Sequence, residues 1–432
     1  MMQPYSEYKN TEIDWLETIP KNWKLVKLKH VSSLNMGQSP SSDDVNQEGE
    51  GIPFIQGNAE FGALHPTPKN FCTEPSKICK PDDILISVRA PVGALNISDQ
   101  KYVIGRGLSA ITPESVRSGF CWYALQNSKY QLSVMETGTT FKAISGSDLA
   151  NVFLPLPSQE EQRVIEGYLN FETSRIDRLI TEKAGFIDLL KEKRQALISH
   201  VVTKGLDSDV AMKDSGVEWI GQVPKHWSIG KLKYFLNAIG DVDHYMPESI
   251  DDGIPYVMTG DLTELVSDIH FEHCKKVSER DYLKLSKKIK TSKGDVIMAR
   301  YATIGTLSYV DIDKNFLVSY SCVTINPNHA QLLGLYLFYY LKSHTFLHGI
   351  QNHINTNTQG NVGINDLRKV EICVPSLQEQ ERIINFLSEK TLSIDTIIKE
   401  TERSINLLKE HRTALISAAV TGKIDLRDKE VA

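Results

Sequence analysis

Two long segments of the chain carry an apolar residue at almost every seventh position, which predicts helices with one hydrophobic stripe. In the first segment these positions are Leu169, Ile176, Lys183, Leu190 and Leu197. In the second segment they are Leu387, Ile394, Thr401, Leu408 and Leu415. The apolar residues expected to complete the stripe are Ile165, Leu179, Phe186, Ile383, Ile397 and Leu407. A polar residue interrupts the stripe at the same place in both segments, so the two helices are predicted to be alike.

Local signals set the ends of both helices. Each begins, directly after a proline, with a Ser-x-x-Glu capping box, and each ends at a glycine suited to the position after a helix. The capping pairs are Ser158 with Glu161 and Ser376 with Glu379, and the glycines are Gly205 and Gly422. About 40 residues at ~1.5 Å each give a rod of roughly 60 Å. We expect the two helices to pair as an antiparallel coiled coil. The alternative is that each packs on its own globule.

The two helices belong to a larger internal repeat. The segment around Trp15 returns around Trp219, a shift of 204 (219 − 15). Leu190-Lys-Glu-x-Arg-x-Ala-Leu-Ile-Ser199 returns from Leu408, a shift of 218 (408 − 190). The ends of the two copies are alike and the interiors differ, which is typical of two similar scaffolds with two different specificities. A decayed duplication without functional meaning is the alternative.

The part of each copy that precedes its helix is rich in turns and short β runs. Asp83–Arg89 and Asp295–Arg300 are predicted strands, and residues 152–157 and 370–375 are predicted to be the last strand of each globule. The predicted fold class is therefore α/β (α+β), with two tandem globules, two long helices and a pseudo-twofold relationship. The predicted domains are 1–157, 158–205, 206–375, 376–425 and a tail at 426–432.

Composition narrows the class of protein. The 48 Lys and Arg against 54 Asp and Glu give a net charge of −6, with 41% hydrophobic and 24% charged residues, which is ordinary for a globular protein. The acidic balance disfavours indiscriminate nucleic-acid binding but allows local basic patches. No apolar run of ~18 residues or signal peptide is recognised. The six Cys form no C-x-x-C pair, so we expect reduced, mostly buried thiols of a cytosolic protein, without a metal site.

Motifs for common enzyme chemistry are missing from the sequence. There is no phosphate-binding G-x-x-x-x-G-K-[ST] loop, no G-x-G-x-x-G after a strand, no [DN]-P-P-[YF], no G-x-S-x-G and no H-E-x-x-H. One loose match to a metal-dependent nuclease exists at Asp82, Asp99 and Lys101, and the second copy does not keep it. A nuclease is therefore the alternative function. Asp83 and Asp295 are predicted instead to cap the turn before a strand.

The ordered set of motifs resembles the specificity (S) subunit of type I restriction–modification enzymes. Each copy has a W-x₄-P-x₂-W opening, a variable α/β globule, a P-S-x-x-E-Q helix start and an L-K-E-x-R-x-A-L-I-S helix end, or a close variant. Asp83–Gly93 and Gly138–Ile144 are similar to segments of that family's target-recognition domains. The second copy departs at Asn355–Gly360, which replaces Gly138–Lys142.

The resemblance implies a subunit that is not itself a catalyst. Each globule would read one half of a bipartite site in double-stranded DNA, and the helical rod would set the spacer and dock two methyltransferase (M) subunits. Those subunits carry S-adenosylmethionine and methylate adenine after flipping it out of the duplex. Restriction (R) subunits, with ATP and Mg²⁺, would cleave unmethylated DNA. The implied location is the cytoplasm, without a membrane, and no cofactor is expected on this chain. A scaffold that binds only protein is a further alternative.

Candidate DNA-binding residues are polar or charged side chains on predicted loops, because base edges are read by hydrogen-bond donors and acceptors. In the first globule they are Gln38, Ser39, Gln56, Asn58, Arg89, Arg106, Thr139, Thr140 and Lys142. In the second they are Thr259, Asp261, Arg300, Tyr301, Asn357 and Gln359. Gly37 and Gly57 would allow close backbone approach. Each candidate has a structural or solvated turn residue as its alternative.

Other residues are assigned structural or docking roles. The tryptophans Trp15, Trp23, Trp219 and Trp227 are predicted to be structural anchors, with base stacking as the alternative. The predicted coiled-coil core consists of Leu169, Ile176, Leu190, Leu197, Leu387, Ile394, Leu408 and Leu415. Glu160, Arg163, Glu379 and Arg382 are candidates for contact with the methyltransferase, with a solvated helix face as the alternative.

Overall fold

A computed structural model of the chain describes residues 3–136, 143–301, 303–351, 354–355 and 361–428. The chain divides into two compact units, residues 1–183 with 403–432 (unit 1) and residues 184–402 (unit 2). Each unit contains one globule, the first part of one long helix and the last part of the other. The long helices are therefore shared between the units, and each unit is described here by itself.

In unit 1 a globule of short strands precedes the first long helix. Its strands are β1 (Tyr8–Asn10), β2 (Thr18–Pro20), β3 (Lys24–Lys27), β4 (Ser32–Met36), β5 (Val45–Asn46), β6 (Ile52–Ile55), β7 (Asn70–Cys72), β8 (Ile84–Ser87), β9 (Leu95–Ile97), β10 (Val103–Ile104), β11 (Leu108–Pro113) and β12 (Phe153–Leu156). Its helices are α1 (Ser118–Gln126), α2 (Lys129–Met135), α3 (Gly146–Ala150) and α4 (Gln159–Lys204), the last of which continues into unit 2.

The globule of unit 1 contains two four-stranded sheets and two two-stranded sheets, β1-β2 and β12-β3. One four-stranded sheet is antiparallel with the order β4-β11-β8-β9, and the other has the order β10-β6-β7-β5 with β10 parallel to β6. All four residues of β8 are buried, as expected for a strand covered on both faces. The last strand, β12, pairs with β3, so the chain returns to its start before it enters α4.

Unit 2 repeats this arrangement. Its strands are β13 (Met212–Asp214), β14 (Gln222–Pro224), β15 (Ser228–Lys231), β16 (Leu236–Gly240), β17 (Ile254–Val257), β18 (Lys275–Val277), β19 (Val296–Ala299), β20 (Leu307–Tyr309), β21 (Leu317–Val318), β22 (Cys322–Pro327), β23 (Ile354–Asn355), β24 (Asn361–Val362) and β25 (Glu371–Val374). Its helices are α5 (Glu279–Leu285), α6 (Gly334–Lys342), α7 (His344–Gln351), α8 (Ile364–Leu367) and α9 (Leu377–Val420), which continues into unit 1. The sheet β16-β22-β19-β20 corresponds to β4-β11-β8-β9, and β15 pairs with β25 as β3 pairs with β12.

Both long helices contribute their apolar stripe to the cores of the units. In unit 1, Leu169 and Ile176 of α4 and Leu415 of α9 are buried in one cluster with Phe120 of the globule. In unit 2, Leu387 of α9 joins the corresponding cluster, with Leu197 of α4 packed against it. The stripe therefore serves two purposes within each unit, since it pairs the helices and also covers the globule. Both alternatives for the packing of the helices therefore hold, since the two helices pair with each other and also pack on the globules.

The second row of the stripe lies at other positions than the sequence predicts. Phe186, Ile397 and Leu407 are 47%, 42% and 56% exposed, so their assignment to the stripe was wrong. Ile187 and Ile405 are buried instead, at 6% and 9%. The buried row lies four residues after each heptad position, because residues at i and i+4 share a helix face. It runs through Thr173, Ile187 and Val201 in α4 and through Thr391, Ile405 and Ala419 in α9.

One tryptophan in each unit joins the start of one long helix to the end of the other. Trp23 is fully buried and its Nε1 donates to Oε1 of Glu161 at 3.1 Å. Gly422, with φ of 71°, lies against the Trp23 ring, where a side chain would clash with Pro20 and press on the indole. The glycine ends the helix in a left-handed conformation and leaves room for the indole.

Unit 2 repeats this tryptophan contact. Trp227 is 1% exposed and donates to Glu379 at 3.0 Å, while Gly205, with φ of 78°, lies against its ring. Because the start of one helix and the end of the other meet at one tryptophan in each unit, the helices run antiparallel within it. Trp23 and Trp227 are structural anchors, as predicted, and their burial prevents base stacking.

The six cysteines are free and buried, as predicted. Burial raises the pKa of the Cys79 thiol to about 11 and that of Cys121 to about 12, so both thiols are neutral at physiological pH. Within the part of the chain that the structure describes, no cluster of three or more His, Cys, Asp or Glu is placed to hold a metal ion. None of the described helices is both long and apolar enough to cross a membrane.

Candidate nucleic-acid interface

Several predicted DNA-binding residues of unit 1 come together beside the ends of its sheets. Oγ of Ser39 lies 3.0 Å from the side-chain nitrogen of Gln56 and 3.2 Å from its side-chain oxygen, and it accepts from the backbone N–H of Arg106 at 3.4 Å. The backbone N–H of Gln38 donates to Ile104 at 2.9 Å. The loops after β4 and β6 and the turn between β10 and β11 are thereby fixed to one another.

Gly37 lies at a position that requires a glycine. A Cβ atom there would lie 2.2 Å from the carbonyl oxygen of Gly105, so the loop after β4 can pass this close to the β10–β11 turn only without a side chain. The close backbone approach that Gly37 allows is therefore to the backbone of Gly105 in the same unit. Around Gly57, in contrast, nothing lies within 4 Å of such an atom.

Two exposed arginines flank this cluster. Arg106 is at the tip of the β10–β11 turn, and Arg89 follows β8, where its backbone forms a bridge to Ala143. The N–H of Val88 donates to the carbonyl of Gly107 at 2.9 Å, which ties the two arginine-bearing loops together. Exposed guanidinium groups beside a frame of backbone hydrogen bonds are suited to bidentate contact with guanine or phosphate.

A polar cleft of about 650 Å³ opens next to Gln56. Its walls include the side chains of Asn46, Gln47 and Asn70, and Gln47 donates to Asn70 at 3.3 Å. A primary amide carries both a donor and an acceptor, which is the pairing that matches the major-groove edge of adenine. Asn58 starts the short 3₁₀ turn beside this cleft.

The two aspartates before the central strands cap turns, as predicted. Oδ2 of Asp83 accepts from the N–H of Lys80 at 2.7 Å, and Oδ2 of Asp295 accepts from the N–H of Ser292 at 2.8 Å. Asp99, a member of the alternative nuclease set, accepts a hydrogen bond from the hydroxyl of Tyr102. Nothing in the structure or in the comparisons below supports the nuclease alternative.

Unit 2 has the same backbone frame with different side chains. The N–H of Ser319 donates to the carbonyl of Val257 at 2.9 Å, as Gly105 donates to Ile55 in unit 1. The segment Ser319-Tyr320-Ser321 therefore stands where unit 1 has Gly105-Arg106-Gly107.

Arg300 is not exposed, although the sequence suggested a DNA-reading arginine there. It is 6% exposed, and its Nη2 lies 2.7 Å from Oδ2 of the buried Asp241. Its Nη1 donates to the carbonyl of Val362 at 3.3 Å. The guanidinium is therefore engaged inside the protein. The next residue, Tyr301, is partly exposed and remains a candidate.

Asp261 also has a structural role. Its Oδ2 accepts from the backbone N–H of Met258 at 2.8 Å and caps the 3₁₀ turn Thr259–Asp261. Glu60 does the same for Gly57 in unit 1. Thr259 lies in the capped turn and is partly exposed, so it stays a candidate.

Sequence reasoning missed three residues of unit 2, namely Asp241, His244 and Tyr320. The ring of Tyr320 stacks on that of His244 with 5.0 Å between centroids and 28° between planes. Asp241 lies beneath them and accepts from Lys288 at 3.1 Å as well as from Arg300. The signal that could have found Tyr320 is the repeat itself, because aligning Ile55 with Val257 and Gly105 with Ser319 pairs Arg106 with Tyr320.

Thr139, Thr140 and Lys142 in the first copy and Asn357 and Gln359 in the second lie outside the described residues.

The docking candidates on the long helices have different surroundings. Glu160 and Arg163 are exposed and pair with each other at 2.6 Å, and Arg382 is exposed. Glu379, in contrast, holds the indole of Trp227 and lies 2.9 Å from Nε2 of His226. It is the counterpart of Glu161 and has a structural role within unit 2.

Comparison with known proteins relates the chain to one family. The model of the type I restriction modification DNA specificity domain matches it twice, at residues 20–180 and 227–407. The chain is 20% identical over 427 residues to the type I restriction enzyme EcoBI specificity subunit of Escherichia coli, covering 95% of this chain and 88% of that protein. It is 38% identical over 201 residues, 46% of each chain, to a Methanocaldococcus jannaschii protein named "Putative type I restriction enzyme MjaX specificity subunit".

Solved structures agree with this relationship at the level of the fold. A chain from work on complex assembly and conformational transition of the type I R-M system superposes with a TM-score of 0.70 and 17% identity. The superposition covers 94% of this chain and 99% of that one. Because the family model matches both copies and most of the sequence, the chain belongs to the family of type I restriction–modification DNA specificity subunits.

Proposed function

We propose that each globule of this chain reads one half of a bipartite site in double-stranded DNA. The observation that carries the proposal is a shared backbone frame with different side chains at corresponding positions. Arg106 of unit 1 and Tyr320 of unit 2 lie at the tips of corresponding turns. Arg89 of unit 1 and Tyr301 of unit 2 follow corresponding strands. Two copies of one frame with different exposed side chains would read two different half-sites, since direct readout depends on side-chain donors, acceptors and apolar groups.

In unit 1 the amides of Gln56 and its neighbours and the guanidinium groups of Arg89 and Arg106 supply the reading surface. Arginine reads guanine and a primary amide reads adenine by paired hydrogen bonds. The side chains of Gln38, Ser39 and Asn58 border the same surface, with Thr259 and Tyr301 at corresponding loops of unit 2. The residues outside the described ranges, Thr139, Thr140, Lys142, Asn357 and Gln359, remain candidates on the sequence alone.

The long helices would set the distance between the half-sites. Two half-sites can be read together when both face the same side of the duplex, which favours a separation near one helical turn, ~34–36 Å. A helix of the length of α4 or α9 is long enough for this, at ~1.5 Å per residue. Two ion pairs between the long helices, Arg194 with Asp395 and Arg412 with Asp177, would keep the spacer rigid together with the tryptophan anchors.

The chemistry would lie on partner subunits. Two methyltransferase subunits, which carry S-adenosylmethionine, would dock on the helices and methylate adenine, and restriction subunits with ATP and Mg²⁺ would cleave unmethylated sites. The exposed Glu160–Arg163 pair and Arg382 are available on the helix starts for such docking. The work on complex assembly of the related type I system supports this assignment. Acting on chromosomal and incoming DNA, the complex would work in the cytoplasm.

A binding experiment with separate half-site changes tests the proposal. The full chain, in complex with its methyltransferase subunits, is titrated with duplexes in which one half-site or the other is scrambled. We expect loss of specific binding with either change. Arg106→Ala should weaken discrimination at one half-site by about tenfold, because a bidentate contact contributes ~1–3 kcal/mol to base discrimination. Equal binding to intact and scrambled duplexes would contradict the proposal.

A further inference from the structure

The two positions that carry exposed arginines in unit 1, Arg89 and Arg106, carry partly exposed tyrosines in unit 2. The N–H of Arg300 donates to the carbonyl of Ser321 at 3.0 Å, as Val88 donates to Gly107 in unit 1. The residues that follow, Tyr301 and Arg89, each form an isolated backbone bridge, to Asn361 and Ala143 respectively. Arg300 is thus the counterpart of the buried Val88, and Tyr301 is the counterpart of Arg89.

Beneath these positions unit 2 contains a buried charge cluster where unit 1 has an apolar residue. The side chains of Asp241 and Arg300 are each 7% exposed, with 2.7 Å between their charged atoms. Lys288 lies 3.1 Å from the other carboxylate oxygen of Asp241. Removing such charges from water is costly, and a well-packed apolar pair is often equally stable. Stability alone therefore gives no reason for replacing the valine of unit 1 with a buried arginine.

The cluster holds two aromatic rings at the surface. Nε2 of His244 lies 3.3 Å from Oδ2 of Asp241, and the His244 ring stacks on Tyr320. The backbone carbonyl of Tyr320 accepts from Nη2 of Arg300 at 3.4 Å. Asp241 and Arg300 therefore each contact one member of the stack. The side chain of His244 is 60% exposed, and it borders an open cleft of about 750 Å³ that Tyr301 and Arg300 also line.

We propose that the stacked pair of His244 and Tyr320 reads the half-site of the second globule, and that Asp241 and Arg300 are positioning residues beneath it. This inference rests on the proposed function, and it names the reading residues of one half-site. Since Nε2 of His244 faces Asp241, the ring presents Nδ1 to a base edge. The hydroxyl of Tyr320 can donate or accept, and both rings offer apolar faces that suit the methyl group of thymine.

The test uses the full chain expressed with its methyltransferase subunits, and it reads the methylated motif by single-molecule sequencing. His244→Ala and Tyr320→Phe remove the two reading groups, and Arg106→Ala is the matched control at the corresponding turn of unit 1. We expect His244→Ala and Tyr320→Phe to raise methylation of sites altered in the half read by the second globule by about tenfold, which corresponds to ~1.4 kcal/mol. The control variant Arg106→Ala should instead relax discrimination in the half-site that the first globule reads.

Stability measurements keep the result interpretable. His244 is exposed, so its variant should melt at the wild-type temperature. Arg300→Met should relax the same half-site as His244→Ala, which a purely structural role of Arg300 would not produce.

The inference is overturned if His244→Ala and Tyr320→Phe keep wild-type discrimination in both halves, or if they relax both halves equally. If the wild-type chain itself directs no split motif, the proposed function fails. If the wild-type chain directs a split motif and the variants do not change it, only the inference about His244 and Tyr320 fails.

Discussion

Arg194 of α4 forms an ion pair with Asp395 of α9, with 3.0 Å between Nε and Oδ1. The corresponding residues of the repeat, Arg412 and Asp177, form the same pair at 2.9 Å in unit 1. The arginine side chains are 13% and 29% exposed, and both occupy the second row of the apolar stripe. A change of register would place each arginine against apolar residues without its carboxylate, so the pairs favour one antiparallel register.

Arg194 has an additional partner that links the helices to the second globule. Its Nη2 donates to Glu264 at 2.9 Å, and Glu264 also accepts from Lys342. Burial alone would raise the pKa of Glu264, but the two cations lower it below the usual value. Glu264→Gln should destabilise unit 2 by about 1 kcal/mol, because Arg194 and Lys342 would lose their shared anion. Chemical denaturation, with hydrogen exchange of the amides of α6 and α9 as the readout, measures this loss of stability.

The matched control for Glu264 is Glu160→Gln, which removes a carboxylate from the exposed pair with Arg163. We expect no measurable change, since exposed ion pairs are screened by solvent. Equal effects of the two substitutions would show that the contact of Glu264 with the helices contributes nothing.

The tryptophan anchors predict a second stability effect. Trp227 is 1% exposed, so Trp227→Phe removes the donor to Glu379 and leaves part of the buried indole's space empty. The expected loss is about 2–3 kcal/mol, from an unpaired carboxylate oxygen and lost packing. Trp15→Phe is the comparison, because Trp15 is only partly buried. Thermal denaturation should separate the two variants clearly, and a Trp227→Phe variant as stable as Trp15→Phe would contradict the anchor role.

The sequence alone predicted the long helices well. Both capping serines are observed, with the N–H of Glu161 donating to Ser158 at 3.2 Å and that of Glu379 donating to Ser376 at 3.3 Å. Apolar residues that recur every seven positions over several turns are a strong signal for a helix, because they all lie on one face of it. The two repeated globules were also recognised, since their framing segments keep the same order.

The site was predicted less well because side chains alternate across a strand. The predicted strands end at Arg89 in the first copy and at Arg300 in the second, yet the repeat of Asp83 at Asp295 is a shift of 212 (295 − 83), which aligns Arg89 with Tyr301. A slip of one residue moves a strand side chain to the opposite face. This explains why Arg300 is buried. The partnership with Asp241 was not predictable, because it joins residues 59 positions apart.

Asp295 predicts a pH dependence of stability in unit 2. Burial raises its pKa to about 6, and its Oδ1 has no hydrogen-bond partner within the described structure. Because the folded protein holds this proton more tightly than the unfolded chain, the stabilisation is complete below about pH 4 and is lost as the pH rises through about 6. The loss should be on the order of 2 kcal/mol. Denaturation between pH 4.5 and 7.5 measures it.

Asp295→Asn should flatten this pH dependence, because the amide does not titrate. Asp83→Asn is the matched control, since Oδ1 of Asp83 already accepts from Thr112 at 2.6 Å. An unchanged pH profile in Asp295→Asn would assign the dependence to other groups.

The proposed spacer role of the helices predicts the effect of an insertion. One heptad added to a single long helix should lengthen or abolish the recognised spacer. Seven residues added after residue 183 of α4 and after residue 402 of α9 would keep the helices paired and add ~10 Å to each. The methylated motif of both variants is compared with that of the wild type. An unchanged spacer would show that the helices do not act as a ruler.

The most direct test of the central claim is single-molecule methylome sequencing of cells that express this chain with its methyltransferase subunits, compared with cells that lack only this chain. We predict one split motif, methylated at adenine on both strands, that appears only when the chain is present. Its two halves and its spacer would define the bipartite site. A motif that persists without the chain, or the absence of any new motif, would contradict the proposed role in DNA specificity.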